Sequence, residues 1–450
     1  MVLVLTIVIL QSISFANYAL TTKTTNIIYG SAPYLTFDGG RTRVTNTEAL
    51  LGISLSDGRT FTPTTNNSSS TNPIELPVVG QSFNDIGMLV PRNTDYIALS
   101  SLIGTPYNYW GDDDGDGQGV NGVTATGSLN LSIVDKNNQA VARNEVLDIC
   151  KAPYKLTLSN GEGRLTTRYG VPNESRFSAS NATYYINPKA VPEICSAIPN
   201  LKPNDGFNVG YNGFTVRSVT PSSYGLNFPT TGANNLYFDL DIVGNNQALS
   251  WAPVSHGGIT ATMTDSTSTS VRVTLTGPGI TSSGEIARPS LPQVFELVGR
   301  DSSGNAVVKY GFKLKQWFVN SGPRGVSYPW ISSWCNSLGY RLPKVRDLTN
   351  VKNPYCPWPE DCQGATPSSP NNGYRRYHGA GFFSEWGHMD YYGGANFGRT
   401  TRNFALYWTS EVGQRFFVVN WYYGAIFDNV SFNSENWRKN LPRFGLCVYP

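Results

Sequence analysis

Histidine is scarce, with only His256, His378 and His388, and none of the six cysteines forms a Cys-x-x-Cys pair. A thioredoxin-like redox centre and a zinc ribbon therefore lack their ligands. Neither a Gly-x-Ser-x-Gly elbow nor a His-Glu-x-x-His run occurs, so hydrolase chemistry has no motif to rest on, and the chain is read as a non-enzyme. Charge is also thin: 14% of residues are charged, and 34 Lys+Arg against 31 Asp+Glu leave a net +3. That is too weak a field for general phosphate binding, and nucleic acid is excluded as a partner. The longest apolar run, Val2–Leu10, is interrupted only by Thr6 and is too short to span a bilayer, which takes about 20 residues.

What is present points to short strands and many turns. The 450 residues suit about three domains at roughly 150 each. At 40% hydrophobic and 12% aromatic the composition is that of a folding chain, and 45 Gly with 28 Pro supply turn formers. Leu129, Leu131 and Ile133 alternate with polar neighbours, as do Leu236, Phe238, Leu240 and Ile242, then Val271, Val273 and Leu275, then Val308, Tyr310, Phe312 and Leu314. Such period-two runs predict half-buried strands. Asp301–Asn305 reads as a hairpin loop and Asn66–Ser70 as an exposed polar tip. Turn formers cluster at Lys202–Gly206 and set a boundary there, giving a β-rich domain over 17–205 and an immunoglobulin-like β-sandwich over 206–320 that lacks a Cys-Trp-Cys core.

The first 22 residues carry no charged side chain, and Ser14-Phe15-Ala16 places small residues three and one before a cleavage point. Residues 1–16 are expected to be a signal peptide and the chain to be exported, although no basic n-region precedes the apolar run and no recognisable membrane attachment follows. Six cysteines suit an oxidising compartment and read as staples, with fifteen pairings open on sequence alone.

Residues 321–450 differ from the rest. They hold 27 of the 56 aromatics and seven of the ten tryptophans, and with 13 Lys+Arg against 8 Asp+Glu they are +5 where the remainder is −2. A short helix is expected over Trp330–Gly339 and another over Lys344–Leu348, joined by Tyr340-Arg341-Leu342-Pro343. Tyr407-Trp408-Thr409-Ser410, Phe416–Val419 and Gly445–Tyr449 follow as strand-like runs.

This order of motifs resembles the bacterial C-type-lectin-like fold shared with formylglycine-generating-enzyme-like domains, in which an RLP run follows the first helix, YWTS opens a late strand and CV lies in the last one. The whole chain, through Gly30-Ser31-Ala32-Pro33-Tyr34-Leu35-Thr36-Phe37-Asp38-Gly39-Gly40, Asn108–Gly117 and Lys309-Tyr310-Gly311-Phe312 leading into Trp317-Phe318-Val319, is similar to the adhesion-domain family of Gram-negative surface proteins related to intimin and invasin. The resemblance implies a mostly β, multi-domain surface adhesin ending in an α+β lectin-like domain, with a host-cell receptor, protein or glycan, as its partner. The sequence has no N-terminal barrel like that of full-length intimin or invasin. The resemblance also places Cys335 and Cys447 where the fold's long disulfide lies. Keeping each bond inside one domain then pairs Cys150 with Cys195 and Cys356 with Cys362. The competing readings are an enzyme on the formylglycine-like scaffold and a structural surface protein without a receptor.

Two groups of residues are candidate sites. Asp112, Asp114 and Asp116, followed by Gly117, have the spacing of the first half of a Ca²⁺ loop, but the twelfth position is Val123, where an EF-hand needs Glu. Ca²⁺ is thus the one cofactor in view. The Glu-Pro-Asn, Gln-Pro-Asp and Trp-Asn-Asp runs of calcium-dependent sugar binding are missing from 321–450. In their place Tyr374, Arg375, Arg376, Tyr377, Trp386, Tyr391 and Tyr392 lie among glycines, a composition expected of a receptor-binding loop held on a framework.

Overall fold

Alternation becomes sheet wherever one face can be buried. A computed structural model of the chain describes residues 29–115, 122–199, 213–280, 285–352, 364–369, 373–397, 406–410, 416–420, 426–430 and 443–450. The signal-peptide segment, Asp116, Cys356, Cys362 and the turn formers at 202–206 lie outside the described residues. The protein is mostly β with several sheets. No helix among the described residues is long and apolar enough to cross a membrane.

The chain divides into two compact units, the first comprising 1–147 and 151–188, the second 148–150 and 189–450. In the first unit a five-stranded sheet runs in the order Ile74–Glu75, Ser180–Asn187, Tyr154–Asn160, Ser128–Val134 and Tyr96–Ala98. All its pairings are antiparallel except that of Ile74–Glu75. Leu129, Leu131 and Ile133 point into its core, as the alternation predicts, beside Tyr154, Leu156, Tyr184 and Ile186. Asn66–Ser70 is not a free tip: Asn66 Nδ2 donates to the Thr183 carbonyl at 2.7 Å, and Ser68 Oγ accepts the Tyr185 N–H at 3.0 Å. The polar run satisfies backbone groups along Ser180–Asn187 that would otherwise need water.

In the second unit a six-stranded antiparallel sheet orders Phe214–Thr215, Glu193–Pro199, Leu236–Val243, Ser270–Thr276, Ile259–Thr264 and Val254–His256. A three-stranded sheet, Ser250–Trp251, Gln293–Arg300 and Ala306–Leu314, contributes to the same core. The predicted inward residues Leu236, Phe238, Leu240, Ile242, Val271, Val273, Leu275, Tyr310, Phe312 and Leu314 are all buried there. Asp301 builds the expected hairpin by accepting the N–H groups of Ser303 and Asn305, each at 2.9 Å.

The boundary expected at 205 is displaced. Glu193–Pro199 pairs with Leu236–Val243 over six residue pairs, so this strand belongs to the second unit. Cys150, bonded to Cys195 at its centre, joins it there. No division falls at 320 either. Gln316–Asn320 pairs in parallel with Thr231–Ala233 on one side and antiparallel with Leu446–Tyr449 on the other, so one strand serves both the sandwich and the C-terminal segment.

The C-terminal segment is α+β. Tyr328–Ser337 is helical, with Gly339 at φ 72° just beyond it, a backbone conformation glycine adopts without steric cost. Val345–Leu348 and Phe382–Trp386 are short helices, and Leu406–Trp408, Phe416–Asn420 and Ile426–Val430 form a further antiparallel sheet. Cys335 and Cys447 are bonded to each other and fully buried, tying the first helix to the last strand.

Candidate functional site

The segment expected to be an exposed loop is in part a structural anchor. Gly381 leads into the helix Phe382–Trp386, in which all five residues are buried, and 3-10 turns follow at Met389–Tyr391 and Gly393–Ala395. Trp386 and Tyr392, 0% and 1% exposed, and Tyr374 are core residues, which corrects their assignment as receptor-contact aromatics. The reason is local chemistry: the Trp386 indole Nε1–H donates to the Thr231 carbonyl at 3.0 Å, its ring lies 4.9 Å from Phe228, and Tyr392 donates its hydroxyl to the Trp386 carbonyl at 3.0 Å. An aromatic with its polar tip satisfied inside the protein belongs to the core.

Beside Trp386 the carboxylate of Glu385 is fully buried. It accepts the N–H of Thr230 at 3.0 Å, of Thr231 at 2.9 Å and of Gly379 at 2.7 Å, and the hydroxyls of Thr230 and Thr231 at 2.8 and 2.6 Å. Five donors converge on two oxygens, which matches an acceptor-only group. Glu385 thereby joins the Phe382–Trp386 helix to the entry of Thr231–Ala233, the strand that pairs with Gln316–Asn320. Sequence reasoning passed over it as one residue of an aromatic run. The available signal was a single carboxylate amid Phe382, Phe383 and Trp386, closed on both sides by Gly381 and Gly387.

Of the remaining expected residues, Arg375, Tyr377 and Tyr391 stay at or near the surface, whereas the Arg376 guanidinium turns inward. Arg375 is exposed, while Arg376, Tyr377 and Tyr391 are half-buried. Arg217 lies over the Tyr377 ring at 5.4 Å, and Tyr391 stacks on His388 at 5.5 Å. Arg376 donates to the Glu385 carbonyl at 2.7 Å and packs so closely on Gly387 that a Cβ there would sit 1.6 Å from its Nη1. His378 Nε2 lies 3.1 Å from the Gly225 carbonyl. Burial pushes the His378 pKa down, aided by Arg217 and Lys315 and opposed by Glu385 and that carbonyl. The result is a cationic and aromatic surface over a fixed base. A second surface aromatic pair, absent from the expectations, is Trp330, 48% exposed and stacked on Trp334 at 5.6 Å. The i, i+4 spacing on the expected helix was its signal.

Part of the acidic run is engaged by the protein itself. Asp113 accepts the Tyr34 hydroxyl at 3.1 Å and pairs with Arg43, and Asp114 accepts the Ser31 N–H at 2.6 Å. Burial, then the bond to Asp113, raises the Tyr34 pKa. Among the described residues neither Asp112 nor Asp114 belongs to a group of three metal-ligating side chains. The group that does meet that spacing, Asp148, Cys150 and Glu193, has its sulfur committed to the Cys150–Cys195 bond.

No family model matches the chain. No curated protein matches it in sequence. Among solved structures it is similar to invasin, described as a bacterial integrin-binding protein, at 15% identity over 74% of this chain and 52% of that one, with a TM-score of 0.36. It is also similar to a C-terminal fragment of intimin in complex with the intimin-binding domain of the translocated intimin receptor, at 12% identity over 72% of this chain and 94% of that one, with a TM-score of 0.32. Intimin-190 from enteropathogenic E. coli matches at 14% identity over 49% of this chain and 89% of that one, with a TM-score of 0.27. The chain spans about half the length of the invasin structure it matches. These scores are too low to carry a residue role or an activity across.

Proposed function

We propose that this chain is an exported bacterial surface adhesin that engages a host-cell receptor through its C-terminal segment, a lectin-like domain borne on an immunoglobulin-like sandwich. The observation that carries the reading is the two-layered build of residues 374–392: Tyr374, Glu385, Trp386 and Tyr392 are buried as a base with the Arg376 guanidinium turned in against it, while Arg375, Tyr377 and Tyr391 remain accessible above it. Arg and Tyr side chains on an ordered base lose little conformational entropy on contact, which is what binding hot spots require. The shared strand Gln316–Asn320 supports the same reading, since it lets the sandwich act as a stiff stalk for the segment.

The test is adhesion of the full chain to cultured host cells after replacing Arg375, Tyr377 and Tyr391 singly by Ala. A hot-spot truncation weakens binding by at least about thirtyfold, or about 2 kcal/mol. Three folded variants that adhere like the parent protein would remove this surface as the receptor site.

A further inference from the structure

A polar pocket of about 130 Å³ opens where the Asn234-Asn235 turn of the sandwich meets the Gly393–Asn396 stretch of the C-terminal segment. Pro278, Gly279, Phe318 and Val319 complete its lining, and Ile280, half-exposed, stands at its rim. Three of its asparagines are fixed by the backbone. Asn234 Oδ1 accepts the Gly277 N–H at 3.1 Å, Asn235 Nδ2 donates to the Gly394 carbonyl at 2.9 Å, and Asn320 donates to the Ala395 carbonyl at 2.9 Å while accepting the Gly322 N–H at 3.0 Å.

An amide held at one end presents its other end in a set direction. Nδ2 of Asn234, Oδ1 of Asn235 and both ends of the exposed Asn396 have no hydrogen-bond partner among the described residues. Donors and acceptors are thus offered together beside the apolar Ile280 rim, and no described lining residue is ionisable. A phosphate, sulfate or carboxylate ligand would need a cation there, and a purely apolar ligand would strand the amides. The volume lies below the usual range for drug-sized ligands, which suits one small ring and leaves no room for a peptide segment.

We propose that this pocket binds a single neutral hexopyranose residue, its hydroxyls taken by Asn234, Asn235 and Asn396 and its C–H face lying against Ile280. The site shares none of the surface residues proposed above for the receptor, so either assignment can fail without the other.

The test is saturation-transfer NMR on the full chain with four probes: the methyl glycosides of glucose, galactose, mannose and N-acetylglucosamine. Each is used at about 10 mM, ten times a millimolar dissociation constant. Asn396→Gly removes the amide but keeps the backbone conformation at φ 57°, and Ile280→Ser removes the apolar rim from an exposed position. At least one glycoside is expected to bind, with affinity falling about 2- to 10-fold in Asn396→Gly, as losing one hydrogen bond does, and falling also in Ile280→Ser. Arg375→Ala is expected to bind the glycoside like the parent chain. Absence of transfer from all four probes overturns the proposal, as does transfer that both pocket variants leave unchanged.

Discussion

Replacing Glu385 by Ala removes the acceptor for five donors at once. The Gly379 N–H lies at an exposed residue and can turn to water, and the two threonine hydroxyls can rotate toward other acceptors. The N–H groups of Thr230 and Thr231 can do neither, since both residues are only 3% exposed and their backbone is fixed by the pairing of Thr231–Ala233 with Gln316–Asn320. Each buried donor left unmet costs about 1–3 kcal/mol, so Glu385→Ala should destabilise the second unit by about 3–5 kcal/mol once lost packing is added. Glu385→Gln keeps the volume but turns an amide N–H toward donors, and should cost about 2–3 kcal/mol. The assay is urea unfolding followed by tryptophan fluorescence, which reports the second unit because nine of the ten tryptophans follow residue 189. Loss of less than about 0.5 kcal/mol in Glu385→Ala, the range of an ordinary surface substitution, would refute the anchoring role.

Two further outcomes follow from the same region. His378 has a folded-state pKa below its unfolded value of about 6.5, so its neutral form is favoured in the fold; the stability this contributes is complete above about pH 6.5 and is lost as pH falls through the folded pKa. Unfolding measured between pH 7 and 5 should therefore show a shallower acid loss in His378→Phe than in the parent, and equal slopes would contradict the assignment. Replacing both Cys335 and Cys447 by Ala opens a loop with a sequence separation of 112 and should cost about 4–5 kcal/mol in the chain-entropy account, read as an earlier urea midpoint, whereas an unchanged midpoint would deny the bond that role.

Much of the fold was legible because its signals are local. Alternation along Leu236–Val243 and Ala306–Leu314 states which side chains face inward whatever partner they meet, and the strands form with those faces buried. The first short helix was legible from Gly339, which closes it. The site was only half legible, because burial of Trp386 and Glu385 is decided by Thr230 and Thr231, some 155 residues earlier in the chain. An aromatic, glycine-flanked run has the same composition whether it is a binding loop or an anchor. The boundary failed for a similar reason: Lys202–Gly206 is rich in turn formers, yet the strand before it, Glu193–Pro199, finds its partner in Leu236–Val243 beyond it.

The central claim is that this chain binds a host receptor through the accessible residues above the Glu385 base. Its most direct test is a binding isotherm of the labelled full chain on cultured host cells, competed by unlabelled chain and by the Arg375→Ala/Tyr377→Ala/Tyr391→Ala triple variant. The account predicts saturable binding that the unlabelled parent displaces and the folded variant does not. Binding that fails to saturate, or that the variant displaces as well as the parent does, would contradict it.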